Sequence, residues 1–371
     1  MKVIYGFFEK FFNIRREEFM LVQAFFAYYT CIGMLYTFGP TVGDSLFLSN
    51  VAQERIDQLL GWVYVGTAVA TVLTTWAYDL IADRFKRIVL LIGMQLVLAV
   101  TLFIFRMLLP ESGGSEWLYF GLVIWMEVCG LLSISLFFSF AGDYFTSRDA
   151  KRLYAYICGG TAVGTVVAGL VTDPIVSVIG TKNLIYICMA MLVSGAGLSA
   201  FIYKSGSPVG GEEEEEDESK TPVSAILSHR FILLTFSVVI LGYMCFVLVD
   251  YQMKMVAQDT YRNAADPSEA IAGFFGSFYS YVGAAQMFFQ FVMVGFLLSR
   301  LGIVNCLMIL PFVHLLTSGL FFLTGHGIFA SKALLVIAFA NFMWMTISET
   351  LELPSRELLL LPLPSRLRVR A

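Results

Sequence analysis

Residues 88–109 read IVLLIGMQLVLAVTLFIFRMLL, an apolar run interrupted by a single charge, Arg106. A helix of about 20 such residues is what crosses a hydrocarbon core roughly 30 Å thick. Similar runs fill residues 118–141, 231–249 and 333–348. With 371 residues, 58% of them hydrophobic and only 14% charged, and a mean hydropathy of +0.77, the chain has more apolar surface than a water-facing core hides. The sequence predicts an all-α membrane protein.

Working outward from that run, ten spans follow, at 19–40, 56–80, 87–109, 117–141, 154–173, 183–203, 231–251, 271–298, 303–323 and 328–348. Joints such as Asp173-Pro174 and Gly325 to Gly327 set their ends. With the N-terminus in the cytoplasm, eighteen Lys and Arg fall on the inner side and six on the outer, Arg55, Arg106, Lys182, Lys254, Arg262 and Lys332. Positive-inside statistics favour that orientation, so span count and topology agree.

Residues 1–18 form an amphipathic cytoplasmic lead-in, 19–203 a six-helix bundle, 204–229 an acidic linker, 230–348 a second bundle with four helices, and 349–371 a basic amphipathic tail. The linker's run Glu212 to Glu218 cannot bury itself and reads as a solvated spacer. A net charge of −4, with much of the acid gathered in that run, gives no reason to expect a nucleic-acid partner. The six cysteines stand singly, with no C-x-x-C pair, and predict neither disulfides nor a metal site. No Ser/His dyad, H-E-x-x-H or facing Asp pair points to an enzyme, and no cofactor motif is present.

The two halves repeat. Tyr64-Val65-Gly66 in the second span is echoed by Tyr281-Val282-Gly283 in the eighth. About one helix later come Asp79-Leu80-Ile81-Ala82-Asp83-Arg84-Phe85-Lys86-Arg87 and Gly295-Phe296-Leu297-Leu298-Ser299-Arg300-Leu301-Gly302. Both resemble the G-x-L-x-D-R-x-G-R loop of major facilitator transporters, the first keeping Asp-Arg and the second keeping the glycines and Arg. The resemblance implies a two-bundle fold with alternating access, in which Asp83, Arg84 and Arg300 act as a cytoplasmic latch.

Four stretches are similar to the bacterial ATP/ADP translocase branch of that superfamily. They are Phe12 to Glu18, Gly43 to Ser49, Asp143 to Tyr154 with the glycines Gly159, Gly160, Gly164 and Gly169 behind it, and Pro362 to Ala371. The resemblance implies a multi-pass inner-membrane exchanger of a small solute, a nucleotide being the family's own. The chain has Thr41, Val42 and Gly43 where family members carry a basic residue, and the spans above leave no Lys or Arg deep in the membrane. A transporter of another small solute, and a membrane anchor or sensor that keeps the fold without transport, stay open. The family fold has twelve spans, so the chain is expected to be a partial form of it.

In this fold the first, fourth, seventh and tenth spans line the cavity. A carboxylate in mid-span is costly, so Glu127 is the leading candidate there, with Trp125 as a stacking wall for a base. Gln286 and Gln290 on one face of the eighth span, and Asn341 and Trp344 on the tenth, are candidate solute contacts. Asp250 and Lys254, spaced i, i+4, form an outer gate or an interfacial ion pair. Asp44 is a second outer candidate, and Glu349 an inner one facing Arg300. His314, alone in an apolar span, reads as a satisfied core histidine.

Overall fold

The computed structural model describes residues 14–82, 85–110, 114–145, 147–206, 230–325 and 332–352. Their regular structure is helical: α1 Phe19–Asn50, α2 Gln53–Ala82, α3 Arg87–Leu108, α4 Glu116–Ala141, α5 Ser147–Ile179, α6 Leu184–Ser205, α7 Arg230–Tyr261, α8 Pro267–Phe288, α9 Val294–Gly325 and α10 Ala333–Ile347. A one-turn 3-10 helix, Thr181–Asn183, leads into α6; π turns Phe289–Met293 and Ser348–Glu352 follow α8 and α10. The lead-in, the acidic linker, most of the basic tail, Asp83 and Arg84 lie outside the described residues.

Nine of these helices are long and apolar enough to cross a membrane. The exception is α8, whose spanning stretch is diluted by Gly, Ser, Tyr and Gln. All-helical architecture is what a lipid solvent demands, since every backbone N–H and C=O must bond within its own segment.

Three predicted ends are corrected. α1 runs ten residues past Pro40, α5 continues through Pro174 to Ile179, and α7 continues past Tyr251 to Tyr261. A proline in a helix interior removes one N–H bond and kinks the rod. Inside a bundle that loss is tolerated, because neighbouring helices hold the chain on course. Within α9 the backbone leaves the helix at one residue, Gly302, at φ 75° and ψ 167°, in the joint predicted between the eighth and ninth spans. That conformation is open essentially only to glycine, which explains the second glycine of the repeated loop motif.

The helices divide into two compact units, Met1–Gly211 with Tyr261–Gly283, and Glu212–Thr260 with Ala284–Ala371. In the first, α1 is the axis and packs on α4, α5 and α6, while α6 also covers α3. α1 meets α5 through facing glycines: a Cβ on Gly33 would sit 2.5 Å from the Thr161 carbonyl oxygen, and one on Gly164 would strike that of Thr30. Gly160 and Gly164, four residues apart, thus make a close small-residue face. The first part of α8 packs equally closely on α5, with a Gly169 Cβ placed 2.5 Å from the Gly276 oxygen.

Polar contacts pin the ends of this unit. At one end Arg55 Nη1 lies 2.5 Å from Glu116 Oε2, Arg106 donates to Asn183 Oδ1 at 3.0 and 2.8 Å, and Lys182 donates to the Pro110 carbonyl. At the other, Arg87 at the start of α3 pairs with Asp143 in the turn after α4. In the second unit α9 and α10 pack together around Cys306, Leu310, Ile347 and Leu351.

Gly164→Ala is expected to force α1 and α5 apart at a cost of about 1–3 kcal/mol, as overpacking does. Gly93→Ala, in open space, is expected to be neutral or slightly stabilising. Thermal unfolding of the two variants in detergent checks this; equal Tm values would show that the glycine contact does not set the helix separation.

Candidate functional site

The most concentrated buried chemistry lies on α7. Asp250, Lys254 and Gln258 recur every fourth residue, so they share one helix face. They are 7%, 4% and 6% exposed. Lys254 Nζ lies 3.0 Å from Asp250 Oδ2. Asn341 of α10, fully buried, donates its Nδ2 to Asp250 Oδ1 at 3.2 Å. The amide nitrogen has to face the carboxylate, which only accepts, so Asn341 Oδ1 points elsewhere and finds no hydrogen-bond partner among the described residues. One turn before Asp250, Phe246 stacks on Trp344 with centroids 4.1 Å apart. Moving forward along α7 from 246 to 250 moves backward along α10 from 344 to 341, so the two helices run antiparallel at this seam.

The pair sits deeper than its predicted place at an outer helix end. Residues Ile240–Tyr261 form one apolar stretch long enough to span, and Asp250 and Lys254 lie inside it. Two charges there are tolerable because each is next to its opposite and the carboxylate has an amide donor as well.

The remaining candidates are dispersed. Gln286 is half-buried and donates to the Met345 carbonyl at 3.2 Å, binding the end of α8 to α10. Gln290, within the π turn, is exposed and does not join it. Trp125 is turned away from any shared site with Glu127: its indole N–H donates to Thr101 Oγ1 of α3 at 2.8 Å. Two residues further on is about 200° around the helix, so the half-buried Glu127 faces another way from Trp125. Asp44 is 1% exposed and lies inside α1, not in a loop after it. Arg300 and Glu349 are both exposed members of the second unit.

Two polar features escaped the sequence reading. Along α1 the hydroxyls of Thr37, Thr41, Ser45 and Ser49 each donate to the carbonyl four residues back, at 3.0, 2.7, 2.5 and 2.6 Å. Their fourfold spacing was the available signal. In the core of the same unit, Tyr28 is held by Gln95 and Ser199 from α3 and α6. Gln95, the one amide in the run that opened the reading, gave the only hint of that contact. No group of three His, Cys, Asp or Glu suited to a metal exists among the described residues.

Residues 21–352 match the Major Facilitator Superfamily. The chain belongs to that superfamily. The match runs from α1 to the π turn after α10. Among solved structures, a mutant of the nucleoside transporter NupG superposes with TM-score 0.60 at 15% identity, over 94% of this chain and 85% of NupG. The D-xylose-proton symporter superposes with TM-score 0.56 at 14% identity, over 94% and 86% of the two chains. No curated protein matches the sequence.

Removing either charge of the α7 pair leaves the other buried, so Asp250→Asn and Lys254→Met are each expected to cost about 3–5 kcal/mol. The double variant is expected to cost much less than the sum. A double-mutant cycle on unfolding in mixed micelles measures the coupling, and additive losses would mean that the two groups do not stabilise one another.

Proposed function

We propose that this superfamily member is a secondary active transporter working by alternating access, with Asp250, Lys254 and Asn341 as its solute and coupling site. The observation that carries this reading is a charged pair inside an apolar helix beside a buried acceptor, Asn341 Oδ1, that has no protein donor among the described residues. Intramembrane charges are expensive and mark ion or solute paths far more often than packing.

Charge balance favours a neutral solute. Among the described residues the buried charged side chains are Asp44, Asp250 and Lys254, two acids to one base. A nucleotide brings several negative charges and needs more than one cation to meet them. A polyhydroxylated neutral molecule needs donors and acceptors, which Asn341, Gln258 and the pair supply. The solutes named in the two structural neighbours, a nucleoside and D-xylose, are of that class. The similarity of four sequence stretches to ATP/ADP translocases is the support for the nucleotide reading, and Lys254 would be its phosphate contact.

Uptake of labelled uridine, D-xylose and ATP into proteoliposomes under an imposed proton gradient separates these readings. Saturable uptake of a neutral solute is expected, reduced at least tenfold by Asp250→Asn. Exchange of ATP for ADP instead would establish the nucleotide reading. A folded protein that moves none of them would favour the anchor.

A further inference from the structure

The polar face of α7 continues as an aromatic one. Phe246 precedes Asp250 by four residues and Trp344 follows Asn341 by three, so on each helix the ring shares a face with the polar group. The two rings stack with centroids 4.1 Å apart and planes 22° from parallel, and Tyr243 meets Phe246 edge-on at 5.7 Å. Four residues of helix rise about 6 Å, so a flat aromatic surface lies roughly that far along α7 from the carboxylate. Phe246 is at the middle of α7, away from the interfacial belts where membrane aromatics gather. Both rings are half-buried, and the indole also borders a cavity of about 550 Å³ walled by Leu241 of α7 and by Leu307 and Leu310 of α9. His314 borders it too, half-buried, with an Nδ1 that has no hydrogen-bond partner among the described residues, contrary to the satisfied core histidine predicted for it.

On the transport reading above, we infer that Phe246 and Trp344 set the specificity of the α7 and α10 site. They select a neutral solute that carries a flat ring about one helix turn from its hydroxyls, as a nucleoside does. The hydroxyls meet Asp250, Lys254 and Asn341 Oδ1, the acceptor left without a donor among the described residues. The ring packs on the aromatic pair, whose π faces hold any planar base without asking for a charge. A pentose alone satisfies the polar cluster and leaves the rings with nothing to hold. A bare apolar ring does the reverse and leaves buried polar groups unmatched.

Uptake of labelled uridine and of labelled methyl β-D-ribofuranoside, the same sugar with a methyl group in place of the base, tests this on the full chain in proteoliposomes. The native protein is expected to favour uridine in kcat/KM by roughly tenfold or more. Trp344→Leu and Phe246→Leu are expected to bring that ratio towards one, and Trp344→Phe, which keeps a ring, to retain most of it. A ring pair that only ties α7 to α10 would alter the uptake of both compounds alike and leave their ratio unchanged. A native ratio near one, or the native ratio kept in both leucine variants, would therefore overturn the assignment. Uptake of D-xylose without uptake of uridine would overturn it too and leave the transport reading standing, whereas no uptake of any solute would remove both.

Discussion

Hydrocarbon offers a protein no hydrogen bonds, and that constraint shapes every level of this molecule. It makes the described chain helical, since a helix satisfies its own backbone. It turns the hydroxyls of α1 back onto carbonyls of the same helix, so that Thr37, Thr41 and Ser45 stay buried with their donors satisfied. It holds Lys254 against Asp250, and Asp250 against Asn341. Where apolar faces meet, hydrophobic burial gives no advantage over lipid, and contact depends on how closely two backbones approach. The facing glycines of α1 and α5 meet that requirement.

Much of the fold was legible because the same solvent writes it into composition. Ten apolar runs became ten helices. Helix ends were harder to read. Pro40 and Pro174 look like terminators by local propensity, yet both lie within continuous helices, because tertiary neighbours outweigh the loss of one N–H bond. The extension of α7 to Tyr261 was hidden by the charges of Asp250, Lys254 and Asp259, which look like the edge of a span when no partner is visible.

The candidate site divides along the same line. Spacing of four residues revealed the Asp250–Lys254 pair, since that relation lies within one helix. The role of Asn341 depends on how α10 docks on α7, and no local pattern encodes that. Trp125 and Glu127 show a related point: membership of a helix does not say which of its faces a residue occupies, and these two occupy opposite ones. His314 and the Tyr28, Gln95 and Ser199 contact were visible only as isolated polar letters in apolar runs.

That Asp250 and Lys254 belong to one helix has a consequence for how the protein is made. A membrane helix leaves the insertion machinery before its eventual neighbours are in place, and a lone charge in it then faces lipid. Here the two charges meet as soon as a single turn of α7 forms, so neutralisation needs no other segment. The helix can enter the bilayer already compensated, and the docking of α10 has only to add an amide.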